Sequence, residues 1–163
     1  MEGKDPLATS ALVGDEIEEL KNSQNVDVAS EPDRTKPSLI LVVDDSADNL
    51  AMLSLYLQQE GYRVVTATNG EEAVTVASYT RPDLILMDIS MPKLDGLAAT
   101  RKIRENRALR NVPVVVVTAF GTEGFQRAAY DVGVSGYLTK PLDFARMQQL
   151  VAGLLTPGGL SEN

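Results

Sequence analysis

Short apolar runs that end in a polar residue constrain this chain more than any other feature of its sequence. Leu39–Val43 is followed by Asp44 and Asp45, and Leu84–Met87 is followed by Asp88. An unbroken apolar run of four or five residues is typical of a strand buried on both faces, and such strands belong to parallel sheets. The two runs therefore predict a parallel sheet that is covered by helices on both sides.

Two further predicted strands end in groups of different chemistry. Val114–Val117 runs into Thr118, and Gly136–Thr139 runs into Lys140. In an open parallel sheet, the carboxyl ends of the strands form the crevice in which ligands bind. Each polar residue alone is explained as well by an ordinary strand end. Together, three carboxylates, a hydroxyl and an ammonium at one edge predict a functional site.

The chain from Ser38 onward alternates strands with helices. A further strand is predicted over residues 63–67, and helices are predicted between a Ser46 cap and a Gly61 stop, over 71–79, from 96 to about 106, over 122–131 and over 143–155. Five strands alternating with five helices predict a doubly wound α/β domain. Short right-handed crossovers favour the strand order 2-1-3-4-5, which brings Asp44 and Asp45 beside Asp88.

The absence of histidine and cysteine from the 163 residues excludes several function classes. The chain has no Ser-His-Asp or Cys-His nucleophile system and no ordinary zinc site, so any bound metal must be held by oxygen. A net charge of -8 argues against nucleic acid as a direct partner, because phosphate binding requires a basic face. With no signal sequence and no apolar run long enough to span a bilayer, we expect a cytoplasmic protein that does not contact membranes.

Three segments are predicted along the chain: an acidic extension over residues 1–37, a domain over 38–156 and a short tail over 157–163. The extension has few large apolar residues, which is typical of a disordered segment. Within it, Val13, Ile17 and Leu20 recur at helical spacing after Ser10, a suitable cap. A short helix over residues 11–21 that docks on a partner is therefore the alternative interpretation.

The chemistry expected of the site follows from its charges. Three crowded carboxylates repel one another unless a cation joins them, and oxygen ligands favour Mg²⁺. A metal that neutralises the cluster also allows a phosphoryl group to approach Asp88. The residues therefore predict metal-assisted phosphoryl transfer with Asp88 as nucleophile, and Lys140 and Thr118 as contacts of the phosphoryl oxygens.

Five short motifs follow one another along the chain: Val43-Asp44-Asp45, Met87-Asp88-Ile89-Ser90-Met91-Pro92, Asp95-Gly96, Val117-Thr118-Ala119 and Lys140-Pro141. With these motifs, the stretch from about Ser38 to Leu155 resembles the receiver domain of two-component response regulators, of the stand-alone, chemotaxis-regulator-like type with a flavodoxin-like fold. This resemblance implies that Asp88 accepts phosphate from a phosphohistidine on a histidine kinase or phosphotransfer protein. It also implies that Asp45 and Asp88 bind Mg²⁺ directly, Asp44 largely through water, and Ser90 through its backbone carbonyl.

The same resemblance implies a switch rather than an enzyme that turns over a separate substrate. The Thr118 hydroxyl would be drawn toward the phosphoryl group, and Tyr137 would turn from solvent to core. The surface of the fourth helix, fifth strand and fifth helix would then bind a downstream protein, and a phosphorylation-dependent dimer is compatible with this. A cis peptide before Pro141 is also implied. Since only eight residues follow the last helix, no DNA-binding output domain is expected.

Three other function classes remain open on the sequence alone. A flavin or nucleotide carrier would need a phosphate-binding loop after the first strand, where Asp44-Asp45-Ser46-Ala47-Asp48 repels phosphate. A magnesium phosphatase with an aspartyl nucleophile would have an aspartate where this chain has Ser90. A receiver-like interaction module that is never phosphorylated is the third class.

Overall fold

The central feature of the fold is a five-stranded parallel sheet. The computed structural model describes residues 35–89, 91, 93–119 and 121–156. The strands are β1 (Leu39–Val43), β2 (Arg63–Ala67), β3 (Leu84–Asp88), β4 (Val114–Thr118) and β5 (Gly136–Thr139). They pair in the order β2-β1-β3-β4-β5, which confirms the predicted order.

In the described part of the chain, four α-helices connect the strands and a fifth follows β5, and each begins at a capping side chain. They are α1 (Ala47–Gln59), α2 (Gly70–Thr80), α3 (Gly96–Glu105), α4 (Glu123–Asp131) and α5 (Phe144–Leu155). The capping residues Ser46, Asn69, Asp95, Thr122 and Asp143 each accept a hydrogen bond from the backbone N–H three residues later. These bonds satisfy donors that the first turn of a helix leaves without partners. Gly61 follows α1 with φ of 99°, the left-handed conformation expected of a helix stop.

The sheet has a hydrophobic core on each face. Every residue of β1, β3 and β4 is buried. Leu41 belongs to the cluster formed with α2, α3 and α4, whereas its neighbour Val42 belongs to the cluster formed with α1 and α5. Burial on both faces explains the unbroken apolar runs, because each such side chain contributes about 1.5–3 kcal/mol when it leaves water.

The sequence predicted the helices but not every packing contact. Val74 is half-buried and packs against the core, whereas Val76 is buried beside Ala73 and Ala77. A 3-10 helix over Arg107–Leu109 was not predicted, although Leu109 is completely buried. Among the described residues, no helix combines the length and the apolar character that crossing a bilayer requires. The predicted helix over residues 11–21 and the tail over 157–163 lie outside the described part of the chain.

Candidate functional site

The register of the sheet brings the predicted polar residues to one edge. Val43 of β1 pairs with Met87 of β3, so that Asp44 and Asp88 follow at the same level. Asp88 pairs with Val117 of β4 and Thr118 with Thr139 of β5, which puts Thr118 and Lys140 at the neighbouring strand ends. The edge predicted from the sequence is therefore the edge at which these residues meet.

Three carboxylates form a tight cluster at this edge. One oxygen from each of Asp44, Asp45 and Asp88 lies within 4.8 Å of the others. Asp44 and Asp88 are only 4% and 6% exposed, whereas Asp45 faces solvent. Carboxylates this close raise the free energy of the folded protein unless a cation offsets them. The donor set consists of carboxylate oxygens alone, which fits Mg²⁺ or another hard divalent ion.

Lys140 supplies a positive charge to the same cluster. Its Nζ lies 3.7 Å from Asp88 Oδ1 and 4.0 Å from Asp44 Oδ2. The backbone N–H of Lys140 donates to the Thr118 carbonyl at 2.8 Å, so the ends of β4 and β5 are joined directly. The Lys140–Pro141 peptide is cis, as the resemblance implied. One ammonium against three carboxylates leaves the cluster with a net negative charge.

The first turn of α1 orients Asp44. The Ser46 N–H donates to Asp44 Oδ1 at 2.9 Å, and Asn49 Nδ2 donates to Asp44 Oδ2 at 3.2 Å. Sequence reasoning missed Asn49, although its position one turn into the helix that follows the acidic pair was a usable signal. Because both oxygens of Asp44 already accept hydrogen bonds from the protein, this carboxylate is held in place before any metal binds.

Gly96 allows α3 to start directly against the end of β3. A Cβ at this position would contact the backbone carbonyl oxygen of Asp88 and lie 3.0 Å from Cγ of Met87. A Cβ at Gly70, the first residue of α2, would likewise contact the Leu94 carbonyl oxygen. The sequence drew attention to Asp95-Gly96 as a motif, but only the structure gives its steric reason: the backbone of Asp88 packs against a residue without a side chain.

Thr118 and Tyr137 both lie inside the protein. Thr118 is 1% exposed and Tyr137 is 9% exposed, and the tyrosine packs in the cluster that includes α4. Burial raises the pKa of the Tyr137 phenol, and the charge of Tyr130 adds to the shift. In this structure the Tyr137 side chain lies in the core. The expected turn of this ring from solvent to core stays a prediction. Ser90, whose carbonyl was expected to bind the metal, lies outside the described residues.

Comparison with known proteins identifies the family. The family model of the response regulator receiver domain matches residues 40–152 of this chain. This chain belongs to the receiver domain family. The response regulator PleD of Caulobacter vibrioides is 40% identical to it over 115 residues, which are 68% of this chain but 25% of PleD. The polar-differentiation response regulator DivK of Brucella anthropi is 33% identical over 119 residues, which are 73% of this chain and 97% of DivK.

Solved receiver domains have the same flavodoxin-like fold. The receiver domain of a sensor histidine kinase from Pseudomonas aeruginosa is 35% identical, with a TM-score of 0.68 over 73% of this chain and 98% of that one. It was solved with a magnesium ion coordinated in its active-site cleft. The chain is thus a receiver domain of the two-component signalling family. It spans about a quarter of the length of PleD and nearly all of DivK.

Proposed function

We propose that Asp88 accepts a phosphoryl group from a phosphohistidine on a histidine kinase or phosphotransfer protein. The observation that carries this proposal is a buried carboxylate that lies within 4.8 Å of two others and 3.7 Å from a lysine ammonium. A nucleophile for phosphoryl transfer needs a cationic environment that tolerates the incoming phosphoryl oxygens. Lys140 provides part of it, and a divalent ion would provide the rest.

The acidic cluster would hold Mg²⁺, which supplies charge neutralisation and orientation of the phosphoryl oxygens when it is bound. Asp45 and Asp88 would ligate it directly. Asp44, both of whose oxygens accept hydrogen bonds from α1, would act largely through a water molecule. The backbone carbonyl of Ser90 would be the remaining protein ligand. The magnesium in the cleft of the Pseudomonas aeruginosa relative supports this assignment.

The transfer is a single displacement at phosphorus. An oxygen of Asp88 attacks the phosphorus opposite the P–N bond, the O–P bond forms and the P–N bond breaks. The electron pair leaves with the imidazole, which departs as a neutral ring because its other nitrogen keeps its proton. Lys140 pairs with one phosphoryl oxygen and the Thr118 hydroxyl donates to another. Attack of water on the phosphorus later releases inorganic phosphate and restores the carboxylate.

The proposed output is a change in a protein-binding surface. Movement of Thr118 toward the phosphoryl group would open space for Tyr137 in the core, and so repack the surface formed by α4, β5 and α5. A cavity of about 340 Å³ at this surface, lined in part by Tyr130, Tyr137 and Leu150, supports a docking role. A target that prefers the repacked surface by roughly 1–3 kcal/mol would shift the population of the domain toward it.

The test is phosphorylation of the purified chain with acetyl phosphate and MgCl₂, read by intact mass. We expect a gain of one phosphoryl group that hydroxylamine removes, since an acyl phosphate is the product. Because the chain has no histidine, an acid-labile phosphate cannot be phosphohistidine. Asp88→Asn should abolish the gain and EDTA should prevent it, while Asp48→Asn, an exposed carboxylate on α1, should leave it intact. An unchanged mass of the parent protein would refute the proposal.

A further inference from the structure

A second concave surface lies between α3 and α4, outside the acidic cluster. This α3–α4 groove has a volume of about 380 Å³ and is lined mainly by apolar side chains, among them Met91, Leu97 and Phe125. All three are half-buried and pack against the edge of the core. Arg101 is the cation of the lining, and the one carboxylate, Asp95, already accepts the capping hydrogen bond from Ala98. The groove thus combines apolar walls with one cation and one carboxylate.

The helix that forms one wall, together with the segment that follows it, is basic in a chain that is strongly acidic. Residues 97–110 contain five cations and one carboxylate, Glu105. Arg104 donates hydrogen bonds to the Gly133 and Leu109 carbonyls, and burial lowers its pKa. The other four cations, which are Arg101, Lys102, Arg107 and Arg110, are exposed. A ligand of this surface should therefore carry apolar groups together with negative charge.

Residues 1–34 of the same chain have that composition. They contain nine carboxylates and three cations, so most of the net charge of -8 lies there. If residues 11–21 form a helix, Val13, Ile17 and Leu20 would share one side of it, and Asp15, Glu16, Glu18 and Glu19 would cover the flanks and the opposite side. An acidic helix with one apolar stripe matches an apolar groove beside basic residues.

The connecting chain is long enough for this contact. Fifteen residue steps separate Leu20 from Thr35, the first described residue, and an extended chain of that length spans roughly 50 Å. A domain of about 120 residues has a diameter of about 35 Å by the usual scaling of size with length. Residues 11–21 can therefore reach the groove from the start of β1.

We propose that residues 11–21 dock as a helix in the α3–α4 groove of their own domain. The apolar stripe covers Leu97 and Phe125, and the carboxylates face the cations of α3. The groove also includes Ile89 and Met91, which flank the segment just after Asp88. Docking would therefore fix the packing of the segment that follows Asp88 and of the start of α4. That consequence rests on the proposed function, whereas the docking itself does not.

Paramagnetic relaxation enhancement in the 163-residue chain tests the docking without phosphorylation. Because the chain has no cysteine, Ser10→Cys gives a single site for a nitroxide label. In ¹⁵N-labelled protein, we expect selective loss of the amide signals of Leu97, Ala98 and Phe125, with β2 unaffected. Raising the salt concentration should reduce the loss, because exposed charges are screened.

Matched variants separate docking from a general effect of the label. Ile17→Glu with Leu20→Glu should restore the lost signals, whereas Val26→Glu with Val28→Glu, the same change outside the stripe, should not. Arg101→Glu should weaken the loss, whereas Arg146→Glu, an exposed cation on α5, should leave it unchanged.

Three outcomes would overturn the proposal. The first is uniform broadening, or broadening centred on another surface. The second is loss of signals that survives the Ile17 and Leu20 changes. The third is an equal loss of signals when spin-labelled chains without ¹⁵N are mixed with ¹⁵N-labelled chains that carry no nitroxide. That result would assign the contact to a second copy of the chain.

Discussion

Replacing Asp88 with asparagine should stabilise the protein when no divalent ion is present, although it removes the proposed phosphate acceptor. With effective dielectric constants of about 20–80, each carboxylate pair, taken at the 4.8 Å upper limit of its oxygen separation, repels by roughly 0.9–3.5 kcal/mol, and Lys140 at 3.7 Å attracts Asp88 by roughly 1.1–4.5 kcal/mol. Asp88→Asn removes two repulsions and one attraction, a net gain of roughly 0.6–2.4 kcal/mol. Because Asp45 and Lys140 reach solvent, the lower part of that range applies.

Urea unfolding followed by circular dichroism measures this gain in EDTA and in MgCl₂. In EDTA, a gain of about 1 kcal/mol corresponds to a rise in Tm of about 4 °C for a domain of this size. Added MgCl₂ should stabilise the parent protein more than the variant, because an ion that binds only the folded state shifts the equilibrium by mass action. Glu105→Gln, an exposed carboxylate on α3, should change the stability by less than about 0.5 kcal/mol.

The reasoning is refuted if Asp88→Asn unfolds at a lower urea concentration than the parent in EDTA. That result would mean that the ion pair with Lys140 outweighs the repulsion from the two neighbouring carboxylates. The acidic cluster would then be stable without a cation, and the electrostatic argument for a metal would be lost.

Three further predictions follow from the packing. Gly96→Ala forces a Cβ against the Asp88 carbonyl oxygen, so we expect a loss of about 1–3 kcal/mol in urea unfolding together with slower phosphorylation by acetyl phosphate; a fully active variant would contradict the steric role of Gly96. Leu109→Ala empties a completely buried site and should cost about 2–5 kcal/mol, and a cost below 1 kcal/mol would mean that the 3-10 helix is not part of the core. For Tyr137, the pKa is raised above the ordinary value of 10.0, so its contribution to stability is complete below that pH and is lost as the pH rises through the higher folded-state pKa. Tyr137→Phe should therefore lose less stability than the parent as the pH rises above 10.0, and an identical decline would refute the raised pKa of Tyr137.

Much of the architecture could be predicted because local and tertiary preferences agree along this chain. The apolar runs that became β1, β3 and β4 have no polar interruption, and only a sheet covered on both faces accommodates them. Ser46 and Gly61 marked the ends of α1 by their chemistry alone. The strand order then brought the carboxylates together without further information.

Other features depend on distances that no local pattern encodes. Leu109 lies in a segment with several polar residues, and only its neighbours in space decide that it is buried. The hydrogen bond from Asn49 to Asp44 depends on the angle at which α1 leaves β1. In the same way, Gly96 matters because of the Asp88 backbone, which is eight positions away in the sequence but adjacent in space.

The hydrogen bond from the Lys140 N–H to the Thr118 carbonyl joins the backbones that carry the ammonium and the hydroxyl. Neither backbone can be displaced alone unless that bond breaks, at a net cost of about 1 kcal/mol. A bound anion that shifts the backbone at the end of one of these strands would therefore also shift the other. The ends of β4 and β5 would thus move together when an anion binds beside them.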